Sequence, residues 1–202
     1  TLSGMLERFF AGGINKLLSE KYEHVYTVFS GGDDLFLIGP WNEMLEVASE
    51  IRKLFSHYTG YNPDVTLSAG IILTKPKTAL PHAVRQVEKA LEKAKEEAND
   101  GRLRREVKEG RNQITLQGVA MEWDDLDKVH STAKKLAQWW KEEALSSSFI
   151  YKLHHFSAIY EHYRNRDTAV LKLVPMLAYS IHRNLKEDQR KAPPEVVTWA
   201  EQ

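Results

Sequence analysis

The sequence contains no cysteine among its 202 residues. It therefore has no disulfide, no thiolate metal ligand and no thiol nucleophile. Such an absence is typical of proteins of the reducing cytosol. The chain also shows no signal peptide and no apolar run long enough to span a membrane. We therefore expect a cytoplasmic protein.

An excess of charge of either sign is also missing, because 28 Lys and Arg balance 28 Asp and Glu. No overall basic field attracts nucleic acid, so any such contact needs a local patch. The sequence has no GxSxG, P-loop or dinucleotide-binding fingerprint, so serine-hydrolase and dinucleotide functions have no support. Hydrophobic residues make up 42% of the chain, which is enough for a packed core and excludes wholesale disorder.

The most informative segment that is present is Ser30–Asp34, with the sequence Ser-Gly-Gly-Asp-Asp. It lies between two β-rich apolar runs, Val25–Phe29 and Leu35–Ile38. Two such runs joined by a Gly-Gly turn predict a tight β-hairpin. Glycine adopts positive φ without steric cost and lets a ligand approach the backbone closely.

A turn does not require two adjacent carboxylates, which Asp33 and Asp34 supply at the start of the second strand. Like charges repel unless a cation lies beside them, and Mg²⁺ prefers oxygen ligands. A hairpin that holds metal against an open backbone is suited to a nucleoside triphosphate, which predicts a nucleotidyl-transfer site. The alternative is a turn with no function, since Gly and Asp are ordinary turn formers.

The order of the predicted elements indicates the fold class. Periodicity predicts helices over 2–19, 42–58 and 81–98, a hairpin over 24–39, and strands over 65–73 and 112–118. A ferredoxin-like domain has the order strand-helix-strand-strand-helix-strand, which this chain matches if the first strand has been lost upstream. We therefore predict an α+β, ferredoxin-like palm over residues 1–120. A third metal-binding carboxylate would come from the absent strand.

From about Asp124 the pattern becomes entirely helical. Helices are predicted from there to the break at Ser146–Ser148, then over Phe149–Tyr163 and Thr168–Leu185, with a final turn ending near Trp199. We expect a second domain over 121–202, a small all-α bundle.

Other candidate sites have simpler explanations. The charged segment 99–111 is expected to be a solvated loop, with a phosphate or RNA contact as the alternative. His155 and His162 share a helical face, but zinc needs three or four ligands in a defined geometry. The aromatic residues of the helical region are expected to pack in a core or interface rather than stack on bases; they are Trp139, Trp140, Tyr151, Tyr160 and Tyr163.

Four segments taken in order resemble a known family: Ser30–Asp34 in its hairpin, Leu67–Ile71, Ala90–Lys95 and Asn112–Leu116. They are similar to the second palm domain of the large signature subunit of type III CRISPR effector complexes, most closely the Csm type. The helical region resembles that subunit's C-terminal domain. RNA polymerases and GGDEF diguanylate cyclases carry relatives of the tetrapeptide, so the specificity lies in the ordered set.

The resemblance implies a concrete activity. Such subunits join ATP into cyclic oligoadenylates, an antiviral second messenger, once the complex pairs its guide RNA with a target RNA. By the same resemblance Asp33 and Asp34 would be catalytic and bind two Mg²⁺ or Mn²⁺ ions. Ser30, Gly31 and Gly32 would lie against the triphosphate, and Lys95 would reach the phosphates.

The implied partners are the other subunits of the ribonucleoprotein, guide and target RNA, and the other palm and HD nuclease domains of the same polypeptide. Those two domains have no counterpart in these residues. Because ATP normally binds between the two palms, the fragment alone is expected to be inactive or badly impaired. The alternatives are a non-catalytic scaffold that contacts neighbouring subunits or RNA, and a GGDEF-like diguanylate cyclase.

Overall fold

The computed structural model describes residues 2–96, 112–164, 173–186 and 192–201. Its chain divides into two compact units, Thr1–His130 and Ser131–Gln202. Among the residues described, no helix is both long and apolar enough to cross a bilayer.

The first unit begins with a helix that changes its pitch midway. Helix α1 covers Leu2–Arg8, a π-helical turn covers Phe9–Gly13, and α2 covers Ile14–Lys21. The prediction of a helix here is confirmed, but the wider turn was not expected. It coincides with Gly12 and Gly13, which weaken regular α-helix because they cost more conformational entropy than other residues.

The remaining elements that begin in this unit follow the predicted order, except for one additional strand. They are β1 (Tyr26–Gly31), β2 (Asp34–Ile38), α3 (Trp41–Tyr58), β3 (Ala69–Ile71), α4 (Leu80–Glu96), β4 (Gln113–Leu116), β5 (Val119–Glu122) and α5 (Trp123–Lys141). The α+β palm class is confirmed. Residues 97 and 98 of the predicted helix over 81–98, and the segment 99–111, lie outside the described residues.

The described strands form two sheets rather than one. Strands β1 and β2 pair antiparallel, while β3 pairs parallel with β4 and β4 pairs antiparallel with β5. The predicted strand over 65–73 shortens to β3, and two polar groups just before it have partners outside a strand ladder. The Leu67 carbonyl accepts a hydrogen bond from Trp123 Nε1, at 2.9 Å, and Ser68 Oγ accepts one from the Asn112 amide, at 3.2 Å.

Strand β5 was not predicted. It follows a tight turn in which Gln117 and Gly118 both have positive φ, 50° and 82°, the pattern of a type I′ hairpin turn. An X-Gly pair between two short apolar runs was the available signal. The expected strand over 112–118 is therefore β4 plus this turn.

Two apolar cores support the first unit. One lies under the hairpin and is built mainly from the initial helix and α3: Phe9, Phe10, Ile14, Leu17, Leu18, Tyr22, Val25, Val47, Ile51 and Phe55. The other joins the three-stranded sheet to α5 through Ile114, Trp123 and Leu126. Gly70 of β3 packs against the backbone of α4, so close that a Cβ atom there would lie 2.7 Å from the Leu91 nitrogen.

Tyr22 directly follows α2, and its side chain is buried. Burial, followed by the negative charges of Glu50, Glu46 and Glu43, raises the pKa of Tyr22 to about 12. The pKa in the folded protein lies above the unfolded value of about 10. The contribution of the neutral phenol to stability is therefore complete at any pH below this unfolded value. It is lost as the pH rises towards 12.

We expect Tyr22→Phe to remove this alkaline sensitivity, because phenylalanine has no proton to lose. Urea unfolding at pH 9 and pH 11, values chosen to bracket the unfolded pKa of about 10, should show a larger loss of stability in the parent than in the variant. Equal losses in the two proteins would contradict the assignment.

The second unit is helical, as predicted. The described helices are α6 (Ser147–Arg164), α7 (Leu173–Ile181) with a π-helical turn at His182–Lys186, and α8 (Pro194–Glu201). They pack with the end of α5 around a core of Trp139, Leu145, Phe149, Ile181, Leu185 and Val196.

Candidate functional site

The Gly-Gly-Asp-Asp segment forms the end of the predicted hairpin. Gly31 pairs with Asp34, which leaves Gly32 and Asp33 as a two-residue turn. Gly32 has φ +63° whereas Asp33 does not have a positive φ, the pattern of a type II′ turn. Asp33 therefore lies in the turn and only Asp34 begins the second strand. We call Gly31–Asp34 the hairpin tip.

A β-bulge sets which way the tip faces. The register shifts between Thr27 and Phe29, so that Val28 has no partner opposite it. Paired residues share a face of the ladder and residues two apart share one too. The inner face of the hairpin thus carries Thr27, Ser30, Leu35 and Leu37, and the outer face carries Tyr26, Phe29, Gly31, Asp34, Phe36 and Ile38.

Burial agrees with this division. Leu35 and Leu37 pack against the core formed by the initial helix and α3. On the outer face Tyr26 is 70% exposed and Phe29 is 54% exposed. Asp34 is exposed as well. The structure therefore presents one carboxylate of the pair on an open, partly aromatic surface.

Both tip carboxylates are available to a ligand. Asp33 and Asp34 are exposed, and no ion pair to either is found among the residues described. In the same part of the chain no group of three or more His, Asp or Glu side chains is arranged to hold a metal ion. Two carboxylates alone match the way proteins bind Mg²⁺, which usually keeps waters or substrate phosphates as its other ligands.

The two glycines differ in their surroundings. A Cβ atom added at Gly32 would meet nothing within 4 Å, whereas one at Gly31 would lie 3.4 Å from the Phe29 ring. The positive φ at Gly32 favours glycine there, and its open side leaves room for a ligand against the backbone. The Phe29 ring beside Gly31 was missed from the sequence, although regular alternation places residues two apart on the same face of a strand.

Ser30 has a defined partner. Its Oγ donates a hydrogen bond to the carbonyl oxygen of Phe10, at 2.8 Å, across the inner face of the hairpin. The hydroxyl proton is thus directed to the π-helical turn. In this conformation Ser30 can accept a hydrogen bond from a ligand but has no proton left to donate to a phosphate.

Lys95 belongs to a different layer from the tip. It is exposed near the end of α4, and α4 packs chiefly against β3 and β4. Within the described residues no hydrogen bond or ion pair links Lys95 to the hairpin. The structure therefore brings Ser30, Gly31, Gly32, Asp33 and Asp34 together, while Lys95 is carried by a separate element.

The structure tests the expectations for the aromatic residues of the second unit in part. Trp139 is buried and its ring lies 5.6 Å from that of Trp199, so the expected packing role is confirmed for it. Trp140 and Tyr151 are exposed, at 51% and 76%. The side chains of Tyr160, Tyr163 and His162 lie outside the described part of the structure.

Comparison with known proteins gives a consistent result. The curated relatives include proteins named CRISPR system single-strand-specific deoxyribonuclease Cas10/Csm1 (subtype III-A). The one from Methanocaldococcus jannaschii is 36% identical over 135 residues, which covers 61% of this chain and 17% of that protein. The one from Thermococcus onnurineus is 25% identical over 160 residues, covering 71% and 19%. The chain thus spans less than a fifth of the length of either relative.

Solved structures share the fold. A Csm1–Csm4 cassette in complex with one ATP matches with a TM-score of 0.59 and 19% identity, covering 98% of this chain and 30% of that one. The cassette in complex with cA4 matches with a TM-score of 0.60 and 18% identity, covering 99% and 33%. The family described as Cas10/Cmr2, second palm domain, matches residues 1–104. That match covers half of the chain and contains the Gly-Gly-Asp-Asp hairpin, so the chain belongs to the Cas10/Cmr2 second palm domain family.

Proposed function

We propose that this chain supplies part of a nucleotidyl-transfer site in a type III CRISPR complex, which converts ATP into cyclic oligoadenylate when target RNA binds. The observation that carries the proposal is the hairpin tip, where two exposed carboxylates adjoin a glycine that is open to a ligand. The matching fold of Csm1–Csm4 cassettes solved with ATP and with cA4 supports adenosine nucleotides as the ligand class.

Asp33 and Asp34 are the proposed ligands of two divalent ions, Mg²⁺ or Mn²⁺. Their exposure fits a site completed by phosphate oxygens and by a carboxylate from elsewhere in the full protein. When bound, such ions activate an attacking hydroxyl and neutralise charge on the reacting phosphate and the departing pyrophosphate. The aspartates orient the ions, and this positioning is what phosphoryl-type transfer chiefly requires.

The backbone of Gly31 and Gly32 is proposed to lie against the triphosphate. Since a Cβ at Gly32 would project into open space, its absence lets phosphate oxygens come closer to the amide groups of the turn. The Phe29 ring on the same outer face would border the nucleotide and limit water around it.

Lys95 is proposed to reach the phosphates by analogy with the Ala-Lys motif of palm-type cyclases, which Ala94 and Lys95 match. Its side chain is exposed near the end of α4, so it is open to a ligand. A lysine ammonium there would add to the charge neutralisation on the phosphates.

The proposed partners are the neighbouring subunits of the complex, including a Csm4-type subunit like the one in the matching cassettes, together with guide and target RNA. A second palm from the same polypeptide would complete the ATP site. The bundle of the second unit would serve as an assembly surface.

Product analysis tests the function directly. The full-length protein in its assembled complex is incubated with ATP or GTP and a divalent ion, with and without target RNA. Mass spectrometry should find cyclic oligoadenylates only with ATP and target RNA. A cyclic dinucleotide from GTP would favour the diguanylate cyclase alternative, and a fully assembled complex without turnover would favour the scaffold.

A further inference from the structure

The π-helical turn at Phe9–Gly13 presents carbonyl groups to the hairpin. The Ile14 amide bonds to the Phe9 carbonyl, five residues back, so the turn is wider than an α-helical one. Widening a helix in this way disturbs the usual pairing of successive amides and carbonyls, and such turns are frequent at functional sites. The next two carbonyls, of Phe10 and Ala11, both accept hydrogen bonds from side chains.

These bonds tie the first hairpin strand to the turn. Ser30 Oγ donates to the Phe10 carbonyl at 2.8 Å. Asn15 Nδ2 donates to the Ala11 carbonyl at 2.6 Å, and Thr27 Oγ1 donates to Asn15 Oδ1 at 3.4 Å. Thr27 and Ser30 are three residues apart and would lie on opposite faces of a regular strand.

The bulge at Val28 removes that difficulty. By leaving Val28 unpaired it places Thr27 and Ser30 together on the inner face, opposite Leu37 and Leu35. The same shift places Gly31 and Asp34 on the outer face. The bulge and the π-helical turn therefore act together to form the contact between the hairpin and the initial helix. Of the residues that make this contact, Ser30 is nearest to the tip.

We infer that Ser30 is a positioning residue, which holds the hairpin tip in place through the Phe10 carbonyl instead of binding the triphosphate itself. The effect of Ser30 on catalysis rests on the proposed function. Its effect on the position of the hairpin tip does not depend on a nucleotide. Its hydroxyl fixes the strand directly before Gly31, so the orientation of the two aspartates depends on it.

Hydrogen exchange of the full chain tests the structural part. In Ser30→Ala the amides of the peptide Phe29–Leu35 should exchange about tenfold faster than in the parent, because the strand loses its anchor to the helix. Ser30→Thr keeps the hydroxyl and should exchange like the parent. Ser19→Ala is the matched control, since it removes a serine hydroxyl bonded to a helix carbonyl, that of Lys16, in α2. Unchanged exchange in Ser30→Ala would overturn the inference.

Steady-state kinetics of the full-length protein in its complex test the catalytic part. Ser30→Ala should lower kcat about tenfold at saturating ATP with KM for ATP unchanged, because misplaced catalytic groups slow the chemical step, and Ser30→Thr should restore it. A raised KM with unchanged kcat would mean that Ser30 binds phosphate, and would overturn the inference, as would an unaffected kcat. Activity that survives removal of both tip aspartates would instead refute the proposed function and leave the exchange result standing.

Discussion

Replacing Asp33 and Asp34 together by asparagine should abolish target-RNA-stimulated synthesis of cyclic oligoadenylate. The amide has nearly the same shape as the carboxylate but carries no charge, so the proposed ions lose the charged ligands that this chain supplies. Metal ions supply several kcal/mol of charge stabilisation in such reactions, so turnover should fall roughly a thousandfold or more. Mass spectrometry of the products from the assembled complex measures the loss.

The double substitution should leave folding and assembly intact, because both side chains are exposed at the hairpin tip. A matched control removes two negative charges elsewhere, with Asp64→Asn and Glu20→Gln, both exposed in the first unit. The control should retain full activity. Normal product from the Asp33→Asn, Asp34→Asn protein would disprove the proposed role of the tip.

A metal-binding measurement distinguishes aspartates that bind the ions from aspartates that act only through their negative charge. Titration of Mn²⁺ into the complex with a non-hydrolysable ATP analogue should show tight sites in the parent and in the control. Those sites should be weakened or lost in the double asparagine variant, because an amide oxygen is a poorer ligand than a carboxylate. Equal Mn²⁺ affinity in all three proteins would show that the two aspartates are not metal ligands.

The second large effect is expected at Gly70, far from the carboxylates in sequence. A Cβ there would lie 2.7 Å from the Leu91 nitrogen and 2.9 Å from the Ala90 carbonyl carbon. Both are backbone atoms of α4, so the whole helix must shift to relieve the overlap. Gly70→Ala should therefore cost about 3 kcal/mol of unfolding free energy, and lower the melting temperature by roughly 10 °C.

Gly12→Ala provides the matched control for this substitution. A Cβ at Gly12 meets no atom within 4 Å, and its φ is not positive, so alanine should be neutral or stabilising by up to about 1 kcal/mol in a helix. Urea unfolding of the two variants beside the parent measures both effects. Equal stability of Gly70→Ala and the parent would show that β3 and α4 are not packed as closely as the structure has them.

Much of the fold could be predicted from local signals. The β-rich runs around Ser30–Asp34 and their glycine turn predicted the hairpin, and amphipathic spacing predicted α3 within one residue of its start, Trp41–Tyr58. Such features depend on neighbours in sequence, where side-chain period and turn chemistry act directly. Strand β5 was missed because its four residues, Val-Ala-Met-Glu, do not alternate between polar and apolar, whereas those of the equally short β4 do.

Other features depend on contacts between distant segments. The partner of Ser30 and the face that carries Asp34 follow from packing of the hairpin on the initial helix, and the division into two sheets follows from which strands pair. A bulge adds one residue without any obligatory sequence mark, yet it reverses the face of every residue beyond it. The outer-face position of Phe29 could not be assigned for the same reason.

By itself the amino-acid sequence determined the order of the elements up to β4, the hairpin and the pair of adjacent acids, since these arise from the chemistry of consecutive residues. Tertiary structure alone decided that Asp34 lies on the outer face, that Ser30 is directed to a helix carbonyl and that Gly70 must lack a side chain. Each of these depends on which distant backbone atoms come within a few ångströms, and close packing leaves little room for alternatives.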